Sequence, residues 1–250
     1  MKEIEKYNID GLFGDINGFK VDNAYDLYTL NIYKKIYGSD KINYIVSQDN
    51  DLSYLKYFDS IEYITIPRDT ESIEPLYLLK KLKGIRLYSS SFNKLDIEKF
   101  PYLIFLEIIW DEPILNFDFK RVKKLFCRNW KIKEMNFLHL NIEIEELEID
   151  FCSELINLHG IESLKNLKKL KIDYCLRLKN INNITSAISL EQLEIYDCNQ
   201  INNFNFLSSL VNLKKLSIFT RETKKNKHLD NLNFILNMPY LEEFETDYYI

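Results

Sequence analysis

Cys152, Cys175 and Cys198 are separated by the same step of 23 residues, each closing a similar stretch: IEELEIDFC (144–152), LKKLKIDYC (167–175) and LEQLEIYDC (190–198). Thiols at a fixed step admit three kinds of chemistry: disulfides between neighbours, a metal centre, or packing as small apolar groups. A metal needs several ligands converging on one point, and His139, His159 and His228 fall out of phase with the cysteines. The phased cysteines fall in an inward slot, where a small group with a weak S–H donor packs well. Cys127 falls at an inward strand position and reads the same way. Reduced structural thiols are therefore expected, with no metal and no cofactor.

Other reactive constellations are missing from the chain. It carries no G-x-S-x-G, H-E-x-x-H, Walker or C-x-x-C motif. The glycines at 11, 14 and 18 lack the preceding strand and the Lys-Ser/Thr ending of a phosphate loop. Paired carboxylates are abundant, but they stand opposite lysines on an open surface, where little raises a pKa. Catalysis needs groups held within hydrogen-bond reach in a pocket, so an enzyme is not expected.

The elements that position these residues follow from the repeat. Apolar residues recur in a frame with starts at Ile42, Ile61, Leu82, Leu103, Val122, Ile144, Leu167, Leu190, Leu213 and Leu241. A constant period with matching apolar phases means one structural unit stacked on copies of itself. The frame reads L-x-x-L-x-(L/I)-x-x-(N/C)-x-x-(L/I), which resembles the leucine-rich repeat, and its short units look most like the internalin-type bacterial class. The likeness covers roughly 42–250 and is most regular from Ile144 to Leu216. Steps of 19 to 21 precede Leu103, and a step of 28 follows Leu213. The usual ladder asparagine survives at Asn50; elsewhere the slot holds Cys, Trp130, Asp111 or Arg221. Trp130 there reads as structural.

Alternations such as Leu147-x-Ile149 and Leu170-x-Ile172 suit a half-buried strand. A strand of about five residues per unit pairs in parallel with its neighbours. The return half, with Leu155, Leu158, Ile161 and Leu164, leaves little room for a full helix. The expected fold is thus a strand-dominated α/β solenoid: a curved leucine-rich-repeat horseshoe with a parallel concave sheet and a non-helical or 3₁₀ convex side. Residues 42–250 would supply nine to ten repeats, the last one partial.

Residues 1–41 leave the frame and read as a cap. Asn17-Gly18, between Leu12-Phe13 and Phe19–Val21, is a hairpin signal. Asp22 or Asn23 can start a helix that Gly38 closes, with Tyr25, Tyr28, Ile32 and Ile36 on one stripe. Such a cap would cover the first strand's open edge. The stretch RETKKNKHLDN (221–231) reads as a solvated basic loop, with a nucleic-acid tongue as the sharper alternative. No run of 18 apolar residues exists, and MKEIEKYNIDGLF lacks the pattern of a signal peptide, so cytoplasmic residence without membrane contact is expected.

On the concave face, the second and third frame positions alternate in sign: Lys123-Lys124, Glu145-Glu146, Lys168-Lys169, Glu191-Gln192, Lys214-Lys215, Glu242-Glu243. Neighbouring parallel strands would set unlike charges side by side. A face that cancels its own charge does not suit phosphates, and the net charge of −5 agrees. The seventh and eighth positions differ. There aromatics recur, with acids among them: Tyr88, Trp110, Asp150-Phe151, Asp173-Tyr174, Tyr196-Asp197, Phe219. Exposed aromatics flanked by acids are common material of protein-binding hot spots; packing over the strand ends is the structural alternative.

The resemblance implies a non-enzymatic protein-binding module. Its expected anchors are Tyr88, Trp110, Phe126, Phe151, Tyr174, Tyr196 and Phe219, with Glu107, Glu148, Asp150, Asp173 and Asp197 meeting a basic protein partner. Nothing in the ladder is expected to neutralise Asp150, Asp173 or Asp197. The richness in Lys, Asn, Ile and Tyr looks like the product of an AT-rich bacterial or phage gene. In that setting such a protein is similar to an inhibitor or immunity protein blocking a toxin or nucleic-acid-handling enzyme. An adhesion or structural role of the internalin kind is the alternative, nucleic-acid binding a minor one, and a monomer is favoured.

Overall fold

The computed structural model describes residues 18–21 (backbone only), 44–115, 119–220 and 233–248. The chain forms two compact units, Met1–Leu115 and Asn116–Ile250. In the first, β1 (Gly18–Val21), β2 (Tyr44–Ser47), β3 (Tyr63–Thr65), β4 (Gly84–Tyr88) and β5 (Phe105–Ile109) pair in parallel and in chain order. In the second, β6 (Lys124–Arg128), β7 (Glu146–Asp150), β8 (Lys169–Asp173), β9 (Gln192–Tyr196), β10 (Lys215–Phe219) and β11 (Glu243–Thr246) do the same. All ten expected repeat strands are present, each where the frame places it.

Strict register turns each frame position into a file of like residues. In the second unit Leu125, Leu147, Leu170, Leu193 and Leu216 stand side by side and are buried. Cys127, Ile149, Ile172, Ile195 and Ile218 form the next inward file. In the first unit Ile45, Ile64, Ile85 and Leu106 do the same work. The period-2 alternation sends these residues to one face and the polar ones to the other.

The chain returns through short 3₁₀ turns: Ser53–Tyr57, Glu74–Leu78 and Ile97–Lys99 in the first unit, then Asn136–Leu140, Ile161–Ser163, Asn182–Ser186 and Asn205–Ser209 in the second. Two single-turn helices accompany them, α1 (Ser89–Phe92) and α2 (Asn233–Leu236). Leu138, Ile161, Ile184 and Leu207 bury one side chain per return. Trp130 is fully buried against Phe137, ring centroids 5.0 Å apart, in the structural role expected of it.

All four cysteines are free and buried. Cys152, Cys175 and Cys198 direct their thiols at backbone carbonyls of the preceding strand, Cys127 O, Ile149 O and Ile172 O, at 3.6, 3.9 and 4.0 Å. Thiol–thiol hydrogen bonding, to Cys152 for Cys175 and to Cys175 for Cys198, pushes those two thiols up, and burial pushes Cys127 up. A raised thiol stays protonated and unreactive, in line with a packing role.

Phe19–Val21, expected as the second arm of a hairpin, lies in β1, which pairs in parallel with β2. The rest of the expected cap and the 221–231 stretch lie outside the described residues.

A left-handed residue directly follows each of four successive strands: Asn129, Phe151, Tyr174 and Asp197, with φ of 59, 54, 53 and 51°. Their N–H groups donate to Asp150 O, Asp173 O, Tyr196 O and Phe219 O of the next strand at 2.8–3.0 Å. The ladder therefore holds a conformation that Phe and Tyr rarely adopt. Two substitutions separate packing from this strain. Leu170→Ala should lower unfolding free energy by about 2–5 kcal/mol through the cavity it leaves. Phe151→Gly should raise it by roughly 1 kcal/mol by relieving the left-handed backbone. Urea denaturation followed by circular dichroism measures both.

Candidate functional site

The outward positions of the second unit carry the expected charge ladder. Lys123 and Lys168 both donate to Glu145, at 2.7 and 2.8 Å; Lys124 meets Glu146 at 3.1 Å, and Lys214 meets Glu191 at 2.8 Å. Lys215 pairs with Glu243 at 2.5 Å, and at the fifth position Lys171 pairs with Glu148 at 3.1 Å. Hydrogen bonds from Lys123 and then Lys168 hold the Glu145 carboxyl down at about 2. These pairs are largely solvated, so each contributes little to stability. Their alternation sets unlike charges side by side on neighbouring strands and keeps like charges apart.

At the strand ends the register lines up Arg128, Asp150, Asp173, Tyr196 and Phe219. The left-handed residues follow directly. Phe151 (46% exposed) and Tyr174 (39%) carry rings 4.9 Å apart, tilted by 42°. Tyr196 and Phe219 stack at 5.6 Å and 11°, and the Tyr196 hydroxyl donates to Glu194 at 3.1 Å. Exposed aromatic surface is thus concentrated at the ends of β7–β10.

The acids are placed differently from the expectation. Asp150 is only 7% exposed and is paired with Arg128 at 3.2 Å, so the ladder does neutralise it. The frame carried the signal, since Arg128 holds the same seventh position on the strand before. Asp197 is 2% exposed, although it shares the left-handed backbone of the exposed Phe151 and Tyr174. Asp173 remains half-buried beside Asp150, the one place in this row where two acids meet across registered strands. Burial, with Asp173 and Glu148 adding to it against Arg128 and Lys171, raises the Asp150 carboxyl to about 6. Phe126 is buried and offers little surface.

In the first unit, Tyr88 and Trp110 are half-buried, with the Arg68 guanidinium 6.0 Å from the Tyr88 ring centroid. Glu107 is 7% exposed and pairs with Arg86 at 3.0 Å. Asp111, in the ladder slot, instead accepts hydrogen bonds from the Ser89 hydroxyl and from Ser90 N and Oγ, at 2.5, 3.0 and 2.9 Å, and so ties down the start of α1. One group of aromatics escaped the sequence reading: Tyr44, Tyr63 and Phe105, at the third frame position, where β2, β3 and β5 begin. The signal was available in the frame, where later repeats carry charges at that position.

Among the described residues, no group of three or more His, Cys, Asp or Glu side chains could hold a metal ion. No helix there is long and apolar enough to cross a membrane.

The fold is that of the leucine-rich-repeat proteins: strand-dominated, with parallel strands and 3₁₀ returns. The functional domain of InlJ from Listeria monocytogenes, which includes a cysteine ladder, is similar with a TM-score of 0.50 at 14% identity, over 80% of this chain and 43% of that one. An internalin, inlF, from the same organism gives 0.39 at 11%, over 87% and 77%. A leucine-rich-repeat protein of Leptospira interrogans gives 0.44 at 14%, over 82% and 62%. No protein-family model matches the chain, and no curated protein matches it.

Asp150 provides a pH test of this geometry. A carboxyl raised in the folded state binds its proton more tightly there than in the unfolded chain, so its contribution to stability falls as pH rises from about 4 through 6. Asp150→Asn should therefore stabilise the protein at pH 7 by about 1–2 kcal/mol and leave it unchanged near pH 4. Denaturant unfolding at the two pH values measures the difference.

Proposed function

We propose that this protein is a non-enzymatic module that binds another protein through the aromatic and acidic ends of β7–β10. One observation carries the reading: the Phe151–Tyr174 ring pair is exposed, closely packed and held on strained backbone beside Asp150 and Asp173. Rings fixed in place lose little freedom on binding, which favours them as anchors. Tyr196 and Phe219 extend the aromatic surface, and half-buried Asp173 and Glu148 supply acid at its border. The rest of the sheet face neutralises itself and offers a partner little net field.

The finer reading is an inhibitor or immunity role, in a cytoplasmic monomer, against a basic protein such as a toxin or a nucleic-acid-handling enzyme. The net charge of −5 supports a basic partner, since opposite fields speed encounter. Tyr88 and Trp110 in the first unit are secondary anchors in this proposal. A cap over residues 1–41 is part of the same picture.

The test is capture from the native host. Wild-type protein should retain one basic protein stoichiometrically, and Phe151→Ala/Tyr174→Ala should lose it by more than about tenfold, the scale of two interface anchors. Lys165→Ala, exposed on a return segment, should retain it fully. Retention by the double variant would move the binding surface elsewhere.

A further inference from the structure

The acids along β11 repeat those along β7, position for position. Glu242, Glu243, Glu245 and Asp247 stand where β7 carries Glu145, Glu146, Glu148 and Asp150. Their surroundings differ. Glu145 and Glu146 are each met by a lysine from both neighbouring strands, Glu148 by Lys171 and Asp150 by Arg128. β11 pairs with β10 on one side, and among the described residues no strand pairs its other edge. Asp247 accepts from Thr220 N at 2.9 Å. Lys214 is taken by Glu191 and Lys215 by Glu243, which leaves Glu242 and Glu245 exposed, with no ion pair among the described residues. The self-cancelling ladder of the sheet face thus stops at β11.

The core thins at the same place. Leu241 and Phe244 are half-buried, whereas their counterparts on the strand before, Leu213 and Leu216, are fully buried. The end of a solenoid needs a covering element with a polar outer face, and an open edge presents unpaired backbone N–H and C=O groups. Backbone pairing, apolar cover and positive charge are all wanted at this edge, and an extended strand with lysines supplies the three together. Its pattern can be read from the molecule, because β8 is the strand that completes β7. Lys168, Lys169 and Lys171 reach Glu145, Glu146 and Glu148, while Leu170 and Ile172 continue the core files. A second copy's β11 would instead set acid against acid, which is unfavourable. The same carboxylates discourage acidic strands, so they select as well as attract.

We propose that the open edge of β11 docks a lysine-bearing strand of a protein partner, added in parallel with the Lys-Lys-apolar-Lys-apolar pattern of β8. This rests on the protein-binding reading but not on the Phe151–Tyr174 rings, so the two can fail separately.

The probes are capped peptides titrated into ¹⁵N-labelled full-length protein: LKKLKIDY, the sequence of 167–174, and IEELEIDF, the sequence of 144–151. LKKLKIDY should shift the Phe244 and Thr246 amides saturably, and added salt should weaken it; IEELEIDF should leave them unmoved. In β8, Lys169 N donates to Glu145 O at 3.1 Å, and alternate residues share that side. LKKLKIDY with backbone N-methyl groups on its second and third lysines therefore keeps every charge, loses the pairing donors and should not bind. Glu242→Gln/Glu245→Gln breaks no ion pair and should weaken LKKLKIDY by about fivefold or more. Glu242→Lys/Glu245→Lys should invert the choice, binding IEELEIDF in place of LKKLKIDY. Phe151→Ala/Tyr174→Ala should titrate as wild type, even where it has lost the captured partner. The proposal is overturned if LKKLKIDY produces no saturable shift at these amides, if the N-methylated peptide matches it, or if either charge variant binds it as wild type does. Movement of the same amides with protein concentration alone would assign the edge to a second copy, which also overturns it.

Discussion

A strand of three to five residues cannot satisfy its own backbone, and every strand of this protein depends on parallel pairing with the strands of adjacent repeats. That pairing is in register, so residues at equivalent frame positions become neighbours in space. The leucine and isoleucine files of the core, the inward thiols, the charge ladder and the row of left-handed residues are all expressions of the same register. A slip by one residue would turn the core files outward. The burial at stake in those files far exceeds that of any surface pair.

The same register explains which features are strong and which only orient. The ion pairs around Glu145 and Glu146 are weak singly, yet their alternation makes one alignment better than its competitors. The left-handed turn at Phe151 and Tyr174 is unfavourable for an aromatic residue alone. Here each N–H is held by the following strand's carbonyl, so the strain is offset by the ladder and the rings are left facing outward. Asp150 and Asp173 break the alternation, and burial, with Asp173 adding to it, raises the Asp150 carboxyl. Local rules yield at these strand ends, and exposed aromatic surface collects there.

One surface of the second unit interrupts a face that otherwise cancels itself: the Phe151–Tyr174 ring pair, bordered by Asp173.

The repeat frame alone determined the architecture. Starts from Ile42 to Leu241 located ten strands, Cys152, Cys175 and Cys198 read correctly as buried thiols, and the alternating lysines and glutamates read correctly as a cross-strand ladder. These follow from periodicity, because a repeat imposes the same environment on the same position. What depended on the individual neighbour was legible only in three dimensions. Asp150 is neutralised by Arg128, Glu107 lies buried against Arg86, and Asp197 is buried where Phe151 and Tyr174, on the same backbone, are exposed. Gly84 has no room for a side chain because the Tyr63 and Phe105 rings crowd its Cβ position. Periodicity says which face a side chain takes. Its exposure and its partners depend on the particular residues one strand away, and the frame treats those as equivalent when their sizes and charges are not.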